Sequence, residues 1–290
     1  MKIGFIGLGL MGAPMASNVA KKHNDTVYLA NRTAEKAQKL AEELQEAGYD
    51  VYACDSNRQV AENADIVISM VTGSADVQEI YEEILPLIRP GMLCIDMSTI
   101  DPAVSVSIAE RVKEKGAMFT DAPVVKSTAA AAAGKLGIYV GADEKTYETA
   151  LPILQYMGEN IIHMGENGRG LVMKLCHNAL VSQIQNGVNE TLSIAQKNGI
   201  GVADYIRAIS YGGGQNFYLD GHAKMLETED FTAMFSLQNA NKDVHLFMDL
   251  AKQTGMAVPG EENAVRVYEE AMEKGLGAED WGATIKIVRG

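Results

Sequence analysis

The sequence lacks any long apolar run. Among its 290 residues, no stretch approaches the roughly 18 uninterrupted apolar positions of a membrane-spanning helix. The opening segment Met1–Ile6 carries a single charged side chain, Lys2, and already contains a glycine. It is therefore too short for the apolar core of a signal peptide. We expect a cytoplasmic protein that has no membrane partner.

Cysteine is scarce, with only three residues, Cys54, Cys94 and Cys176. They are far apart in the sequence and form neither a C-x-x-C pair nor a cluster with histidine, the patterns typical of zinc sites. A sparse, odd number of cysteines is typical of proteins from a reducing compartment. The sequence therefore predicts no metal centre and no disulfide framework.

Positive charge is in deficit, with 25 Lys and Arg against 38 Asp and Glu and a net charge of −13. A surface this acidic repels nucleic-acid phosphates and anionic lipids, which excludes them as main partners. The composition is otherwise that of a globular protein, with 47% hydrophobic residues. At about 100 to 200 residues per domain, the length favours two domains with a core in each.

Residues 1–163 alternate short apolar runs with amphipathic segments. The runs predict strands, and the segments, which repeat apolar residues every three to four positions, predict helices. This alternation predicts parallel strands joined by right-handed crossovers, which is a doubly wound α/β sheet. The predicted strands are Lys2–Ile6, Thr26–Ala30, Ile66–Met70, Met92–Met97, Met118–Thr120, Leu136–Val140 and Ile161–His163, and the predicted helices are Thr33–Ala47, Ala75–Leu87 and Pro102–Lys115.

Residues 164–290 have a different pattern, because long helical periodicities replace the strand signals after Gly170. The first periodicity reaches about Lys197 and ends at Asn198-Gly199, a pair typical of a helix C-cap. We therefore expect a dinucleotide-binding α/β domain over residues 1–163. An all-helical domain for substrate binding and oligomerisation is expected over 164–290, beginning with a long interdomain helix. The other predicted helices are Val202–Ser210, Ser236–Thr254, Glu261–Lys274 and Asp280–Val288.

A glycine-rich turn follows the first predicted strand and opens a helix through Met15–Ala20. In this pattern the first glycine allows a tight turn, the second lets a pyrophosphate approach the backbone, and the third lets the helix pack closely. The free N–H groups and the partial positive charge of the helix N-terminus favour phosphate. We predict a dinucleotide diphosphate at this turn, a ligand-free tight turn being the alternative. The residues concerned are Gly7, Leu8, Gly9, Leu10, Met11 and Gly12.

The end of the second predicted strand, Asn31-Arg32-Thr33, distinguishes between two cofactors. An NAD site places Asp or Glu here to bind the ribose 2′-hydroxyl, and this segment has neither. The Arg32 guanidinium suits a 2′-phosphate, with the Thr33 hydroxyl as a further donor. The segment therefore predicts NADP(H) in preference to NAD(H). Alternatively, Arg32 is a solvated turn residue and Thr33 only caps the following helix.

Several segments are more specific than three glycines. They are Gly4-Phe5-Ile6-Gly7-Leu8-Gly9-Leu10-Met11-Gly12-x-Pro14-Met15-Ala16-x-Asn18, Asp96-Met97-Ser98-Thr99, Asp121-Ala122-Pro123-Val124, Gly165-x-x-Gly168-x-Gly170-x-x-x-Lys174-x-x-x-Asn178 and Lys242-Asp243. Together, over essentially the whole chain, they resemble the β-hydroxyacid dehydrogenases, such as 3-hydroxyisobutyrate dehydrogenase and tartronate semialdehyde reductase. The resemblance implies a Rossmann domain followed by a helical domain, reversible oxidation of short 3-hydroxy acids, and a homodimer or homotetramer.

The resemblance also identifies a catalytic pair at the start of the long helix. Hydride transfer to a carbonyl leaves an alkoxide, which needs a proton from an adjacent acid. Lys174 is the candidate acid, and Asn178, four residues later on the same helix face, is expected to hold the substrate oxygen. His177 is a rival acid, but relatives often have Asn at this place, so we expect it to support the site. Without the resemblance, Lys174 would be taken for a surface lysine.

The nicotinamide is expected at the carboxyl edge of the sheet, beside Met70, Val71 and Thr99, with Ser98 contacting the substrate. Relatives commonly have Leu-Pro where this chain has Val71-Thr72. In relatives, the lysine corresponding to Lys242 lies near the cleft and binds cofactor or substrate. In this chain its neighbour Asp243 could equally be its salt-bridge partner.

The predicted substrate-binding loop departs from the common family pattern. Relatives follow the Asp-Ala-Pro-Val motif with Ser-Gly-Gly, which holds a carboxylate, whereas this chain continues with other residues. The 3-sulfolactaldehyde reductases, with Gly-Arg-Thr-Ser-Ala, resemble it more closely. This predicts a sulfonate substrate, with 3-hydroxyisobutyrate, tartronate semialdehyde, succinate semialdehyde or glyoxylate as alternatives. If Lys126 faces solvent, only the backbone binds substrate. The expected substrate contacts are Pro123, Val124, Val125, Lys126, Ser127 and Thr128.

Two other functions share this architecture. Imine reductases typically replace the helix lysine with Asp or Tyr, and non-catalytic NADP-binding scaffolds lack it. Lys174 therefore favours a dehydrogenase that acts on a small anionic substrate.

Overall fold

The structure, a computed structural model, describes all 290 residues. The chain divides into two units, Met1–Lys174 and Leu175–Gly290. The sequence predicts the boundary at 163/164, which falls inside the last strand, Gly158–Gly165. The division lies later because the first turn of the following helix is hydrogen-bonded to the end of a strand through Asp121.

The first unit contains one nine-stranded sheet with helices between its strands. The strands are β1 (Ile3–Ile6), β2 (Val27–Ala30), β3 (Val51–Ala53), β4 (Ile66–Ser69), β5 (Leu93–Asp96), β6 (Met118–Asp121), β7 (Val124–Val125), β8 (Leu136–Gly141) and β9 (Gly158–Gly165). The helices are α1 (Gly12–Lys22), α2 (Ala34–Glu46), α3 (Asn57–Asn63), α4 (Ser74–Ile84), α5 (Pro102–Glu114), α6 (Thr128–Ala132) and α7 (Glu144–Leu154).

Strands β1 to β6 are parallel and lie in the order β3-β2-β1-β4-β5-β6. The predicted doubly wound sheet is thus confirmed for this part. The expectation of parallel strands throughout is wrong for β8, which runs antiparallel to both β6 and β7, while β9 pairs with it in parallel. Strands β3 and β7 and helices α3 and α6 were not predicted, because each is too short to show a clear periodicity. Helix α7 was also not predicted, and it contains Pro152, a residue that argues against a helix interior.

Both faces of the central strands are buried, and successive residues contribute to opposite faces. Phe5 lies in the apolar cluster on one face, with Met15 of α1, whereas Ile6 lies in the cluster on the other, with Tyr81 of α4. Parallel strands covered by helices on both sides need apolar residues at every position, which is why the strand sequences are continuously apolar. The carboxyl ends of β1 to β6 meet at one edge of this sheet.

The second unit is helical. Helix α8 (Arg169–Lys197) continues into it from the first unit, and α9 (Val202–Ile209), α10 (Phe217–Thr228), α11 (Leu237–Thr254), α12 (Pro259–Glu273) and α13 (Ile285–Arg289) follow. Short 3₁₀ helices, Leu276–Ala278 and Trp281–Thr284, precede α13. Helix α10 was not predicted. No helix of the chain combines the length and apolar character that crossing a membrane requires.

Candidate active site

The glycine turn leads from β1 into α1, and its three glycines have different surroundings. Gly7 has φ +98°, and a Cβ there would lie 2.2 Å from the carbonyl oxygen of Met70. A Cβ at Gly12 would lie 2.0 Å from the carbonyl oxygen of Gly7, whereas nothing lies within 4 Å of that position at Gly9. Gly7 and Gly12 therefore permit the tight turn, and Gly9 leaves its backbone open to a ligand.

The N-terminus of α1 fits the diphosphate of a dinucleotide. The helix has no side-chain cap and no acidic residue in its first turn, so its leading N–H groups keep their partial positive charge. Leu10, within the turn, is exposed. The turn itself is held by Asn31 at the end of β2, which accepts a hydrogen bond from the Leu8 N–H at 2.8 Å. Asn31 thus supports the turn through its side chain.

Arg32 follows Asn31, and its side chain is 89% exposed. Its Nη1 lies 3.4 Å from Oδ1 of Asp76, in the first turn of α4. The second oxygen of Asp76 accepts from the N–H of Gly73 at 3.1 Å, which fixes the carboxylate in place. The segment after β2 lacks an acidic residue, but the fold supplies a carboxylate there from a distant part of the chain. Thr33 is the N-cap residue of α2, and its side chain accepts no capping bond.

The ends of β4 and β5 are joined by the fully buried side chain of Ser98. Its hydroxyl accepts from the Val71 N–H at 2.9 Å and donates to Oδ1 of Asp96 at 2.8 Å. Ser69 donates to the same carboxylate oxygen at 2.7 Å. The Ser98 hydroxyl is thus directed into the interior, and the expected contact of this residue with substrate stays a prediction. Ser98 positions the backbone after Met70, while Thr99 is partly exposed beside it.

Asp121 ends β6 and anchors the start of α8. Its Oδ1 accepts from the Gly168 N–H at 2.7 Å, and its Oδ2 accepts from the Leu171 N–H at 3.0 Å. It lies opposite Asp96 in the register of β5 and β6, and both side chains are fully buried. Burial raises the pKa of each carboxyl to about 6, although the hydrogen bonds that they accept favour the charged form.

The predicted substrate contacts in the loop after Asp121 differ in how far they are exposed. Pro123 and Val124 are buried, and Val125, in β7, is half-buried. Lys126 has φ +84°, a left-handed conformation that costs a non-glycine residue about 1 kcal/mol and suits the glycine of relatives. Its Nζ donates to the carbonyl oxygen of Lys135 at 2.8 Å and to Oε1 of Glu159 at 2.9 Å.

Ser127 and Thr128 come next and start the short helix α6. The Ser127 hydroxyl is the N-cap, accepting from the Ala130 N–H at 3.4 Å, and Thr128 is the first helical residue. Both lie at the loop surface, half-exposed or exposed. The Lys126 ammonium is directed to Glu159 rather than into this loop, so the anion-binding role predicted for it requires the ion pair to open.

Lys174 lies on α8 one turn after Leu171 and is half-buried. In the second unit, Asn178 of the same helix donates from Nδ2 to Oδ2 of Asp243 at 2.7 Å. Lys242 donates to the other oxygen of Asp243, also at 2.7 Å, so the salt bridge that the sequence left as an alternative is present. His177 Nδ1 lies 3.2 Å from Asn178 Oδ1, so this histidine orients the amide.

Sequence reasoning noted Asp96 and Asp121 only as parts of family segments and did not identify Asp76 or Glu159. A carboxylate at the end of a predicted strand was the available signal for the first two. Asp76 and Glu159 become relevant only through contacts between distant segments.

A nicotinamide-dependent oxidoreductase is the class of protein that this fold and glycine turn define. Residues 2–165 match the family model described as the NAD-binding domain of 6-phosphogluconate dehydrogenase. Residues 168–288 match the one described as NAD-binding of NADP-dependent 3-hydroxyisobutyrate dehydrogenase.

The chain is 31% identical to a 2-(hydroxymethyl)glutarate dehydrogenase of Eubacterium barkeri, over 99% of this chain and 94% of that protein. It is 32% identical to an NAD-dependent L-serine dehydrogenase of Pseudomonas aeruginosa, over 99% of this chain and 97% of that protein. The structure of a Mycobacterium tuberculosis 3-hydroxyisobutyrate dehydrogenase with L-serine superposes with a TM-score of 0.88 and 29% identity, covering 100% of this chain and 99% of that one. The chain belongs to the β-hydroxyacid dehydrogenase family and is an oxidoreductase acting on CH–OH groups.

Proposed function

We propose that this protein is an NADP(H)-dependent dehydrogenase that interconverts a small anionic 3-hydroxy acid and its aldehyde, with Lys174 as the acid and base. The supporting observation is the attachment of α8 to the carboxyl edge of the sheet. Asp121 ends β6 at that edge and binds the first turn of α8, and Lys174 lies one turn further. The glycine turn after β1 and the Val71 segment after β4 are at the same edge.

The bound nicotinamide would supply or accept the hydride. Lys174 gives a proton to the substrate oxygen as negative charge develops there, and takes it back in the reverse direction. Asn178 lies one turn later on the same helix face. Its amide nitrogen carries two hydrogens, so the bond to Asp243 leaves the second for the substrate oxygen. Lys242, fixed by the same carboxylate, contributes positive charge for an anionic ligand.

NADP(H) is the preferred cofactor because Arg32 offers a guanidinium at the end of β2, with the Thr33 hydroxyl beside it. Replacing Arg32 with Asp should move the preference towards NADH, since a carboxylate repels a 2′-phosphate and binds a 2′-hydroxyl. The ratio of kcat/KM for NADPH and NADH measures this. An unchanged ratio would contradict the assignment.

For the substrate, we propose a sulfonate such as 3-sulfolactaldehyde, held by the 124–128 loop with the hydroxyls of Ser127 and Thr128. A carboxylate is the second candidate, and the left-handed backbone at Lys126 favours it because relatives have a glycine there. Oxidation of NADPH against 3-sulfolactaldehyde, tartronate semialdehyde, methylmalonate semialdehyde, succinate semialdehyde and glyoxylate distinguishes the two. The highest kcat/KM identifies the anion class, and a carboxylate in first place would overturn the sulfonate proposal.

The three cysteines are unpaired thiols, which supports a reducing compartment such as the cytoplasm.

We also propose a homodimer or homotetramer. Leu180 and Ile194 of α8 are each more than half exposed, and apolar side chains of this kind support association with a second copy. Light scattering coupled to size-exclusion chromatography measures the mass, and a monomer at micromolar concentration would contradict this part of the proposal.

A further inference from the structure

The buried carboxylate of Asp121 has two partners at the start of α8, one in the residue that precedes the helix and one in its first turn. Its oxygens accept separately from the N–H groups of Gly168 and Leu171, at 2.7 and 3.0 Å. These are main-chain groups at the start of a helix, which have no partner within the helix itself. Because each oxygen has its own donor, the carboxylate fixes both the position and the rotation of this turn.

The surrounding backbone leaves room for this carboxylate at two glycines. A Cβ at Gly141, at the end of β8, would lie 2.4 Å from Oδ1 of Asp121. A Cβ at Gly170, in the first turn of α8, would lie 2.8 Å from Oδ2. Neither glycine has a positive φ. The Asp121 carboxylate therefore explains why a side chain is excluded at Gly141, whereas at Gly170 the carbonyl oxygen of Tyr139, 2.6 Å from the same position, excludes it together with Asp121.

Lys174 follows Leu171 by three residues, about 4.5 Å along the helix axis. The rotation of the first turn sets the direction in which the Lys174 side chain leaves α8, because each residue is fixed at about 100° from the previous one. A long side chain enlarges any error in that rotation, and a misplacement of about 1 Å at a reacting group costs up to about 10²-fold in rate.

We infer that Asp121 is a positioning residue for the reaction, which orients Lys174 by holding the Gly168 and Leu171 N–H groups. This rests on the proposed function, because Asp121 acts through Lys174. The isosteric variant Asp121→Asn retains one acceptor oxygen and presents an amide nitrogen to the other N–H group. The first turn of α8 then loses one of its two attachments.

The test is a double-mutant cycle on kcat. In the wild-type background, Asp121→Asn should lower kcat by about 10-fold or more, while the Kd of NADPH stays within twofold. In the Lys174→Ala background the same substitution should change the residual kcat by less than twofold, because the group that it orients is gone. An equal loss in both backgrounds, or an unchanged kcat in the wild-type background, would overturn the inference.

Two further variants keep the result interpretable. Gly141→Ala retains the charge of Asp121 but displaces its carboxylate, so it should lower kcat in the same Lys174-dependent way even if Asp121→Asn fails to fold. Asp143→Asn is the control, since Asp143 caps α7 through the Thr146 N–H at 3.0 Å. It should lower the Tm without changing kcat. If Lys174→Ala retains full activity, the proposed acid fails. If its kcat is strongly reduced but still measurable, and the losses of the two substitutions add, only the role of Asp121 fails.

Discussion

Asn178 and Asp243 form a 2.7 Å hydrogen bond between α8 and α11, with the amide as donor. Asp243 is 3% exposed and also accepts from Lys242 at 2.7 Å. One buried carboxylate therefore orients an amide on one helix and an ammonium on the other. Charge-assisted hydrogen bonds of this kind are roughly twice as strong as neutral ones, so the arrangement is rigid.

Asp243→Asn should disturb both partners, since a neutral amide cannot accept from both with the same strength. We expect kcat to fall by about 10-fold and the Tm to fall by several degrees, because a buried donor or the Lys242 charge is left poorly paired. Asp249→Asn, on the exposed face of the same helix, is the matched control. Identical kcat values for the two variants would contradict the role of Asp243.

Asp76→Asn should strengthen the binding of NADPH. The Asp76 carboxylate lies 3.4 Å from Arg32, where it competes with a 2′-phosphate for the guanidinium. Asparagine keeps an acceptor for the Gly73 N–H but removes the charge. At low salt we expect the Kd of NADPH to fall by about threefold, with the Kd of NADH unchanged, and the difference to shrink at high salt. Fluorescence titration measures both constants, and equal changes for the two cofactors would refute competition at Arg32.

Glu159→Gln should release Lys126 from its ion pair. If the Lys126 ammonium then contacts the substrate anion, the KM of that substrate should fall several-fold, and Lys126→Ala should raise it. Steady-state kinetics with the best substrate of the panel measures both. If neither variant changes KM, the loop binds its anion through the backbone and the hydroxyls alone.

Glu261→Gln should change how stability depends on pH. Glu261 is fully buried in the first turn of α12, and its Oε2 lies 2.8 Å from the Ser182 hydroxyl and 3.1 Å from Nε2 of Gln183. The Ser182 hydroxyl carries one hydrogen but also lies 2.7 Å from the Ala179 carbonyl oxygen. A protonated Glu261, donating to Ser182, satisfies every group. Burial accordingly raises the pKa of Glu261 to about 7.

The direction in which stability changes with pH follows from the raised pKa of Glu261. The folded protein keeps a proton on Glu261 that the unfolded chain loses near pH 4.5, the ordinary value. This group therefore stabilises the fold fully below about pH 4.5, and its contribution is lost as the pH rises to about 7. Glutamine cannot ionise, so the Tm of Glu261→Gln should exceed that of the wild type at pH 8 and not at pH 5. Thermal unfolding at both pH values measures this, and parallel curves would contradict it.

The glycine turn and Arg32 could be predicted from the sequence because their signals are local. A strand, three spaced glycines and a helix occur within a few residues of one another, and the segment after β2 has its own composition. Asp76 has no such signal, since only the adjacency of β1 with both β2 and β4 brings α4 towards Arg32. Helix α10 was missed because Gly221 lies within it and its apolar periodicity is weak.

The loop after β6 shows another feature that could not be predicted from the sequence. The change from glycine to Lys126 was visible in the sequence, and it predicted a cation directed at the substrate. The direction of that side chain depends on Glu159 and on the Lys135 carbonyl oxygen, which only the pairing of β7, β8 and β9 brings near. The sequence shows that a cation stands in this loop, but the direction of its side chain could not be predicted from it.

The proton transfer by Lys174 is tested by the single-turnover rate of hydride transfer in Lys174→Ala, measured with saturating NADPH. Loss of a general acid should lower this rate by at least about 10² while the Kd of NADPH stays unchanged. Lys197→Ala, at the other end of α8, should match the wild type in both quantities. A Lys174→Ala rate within a few-fold of wild type would show that this ammonium does not protonate the substrate oxygen.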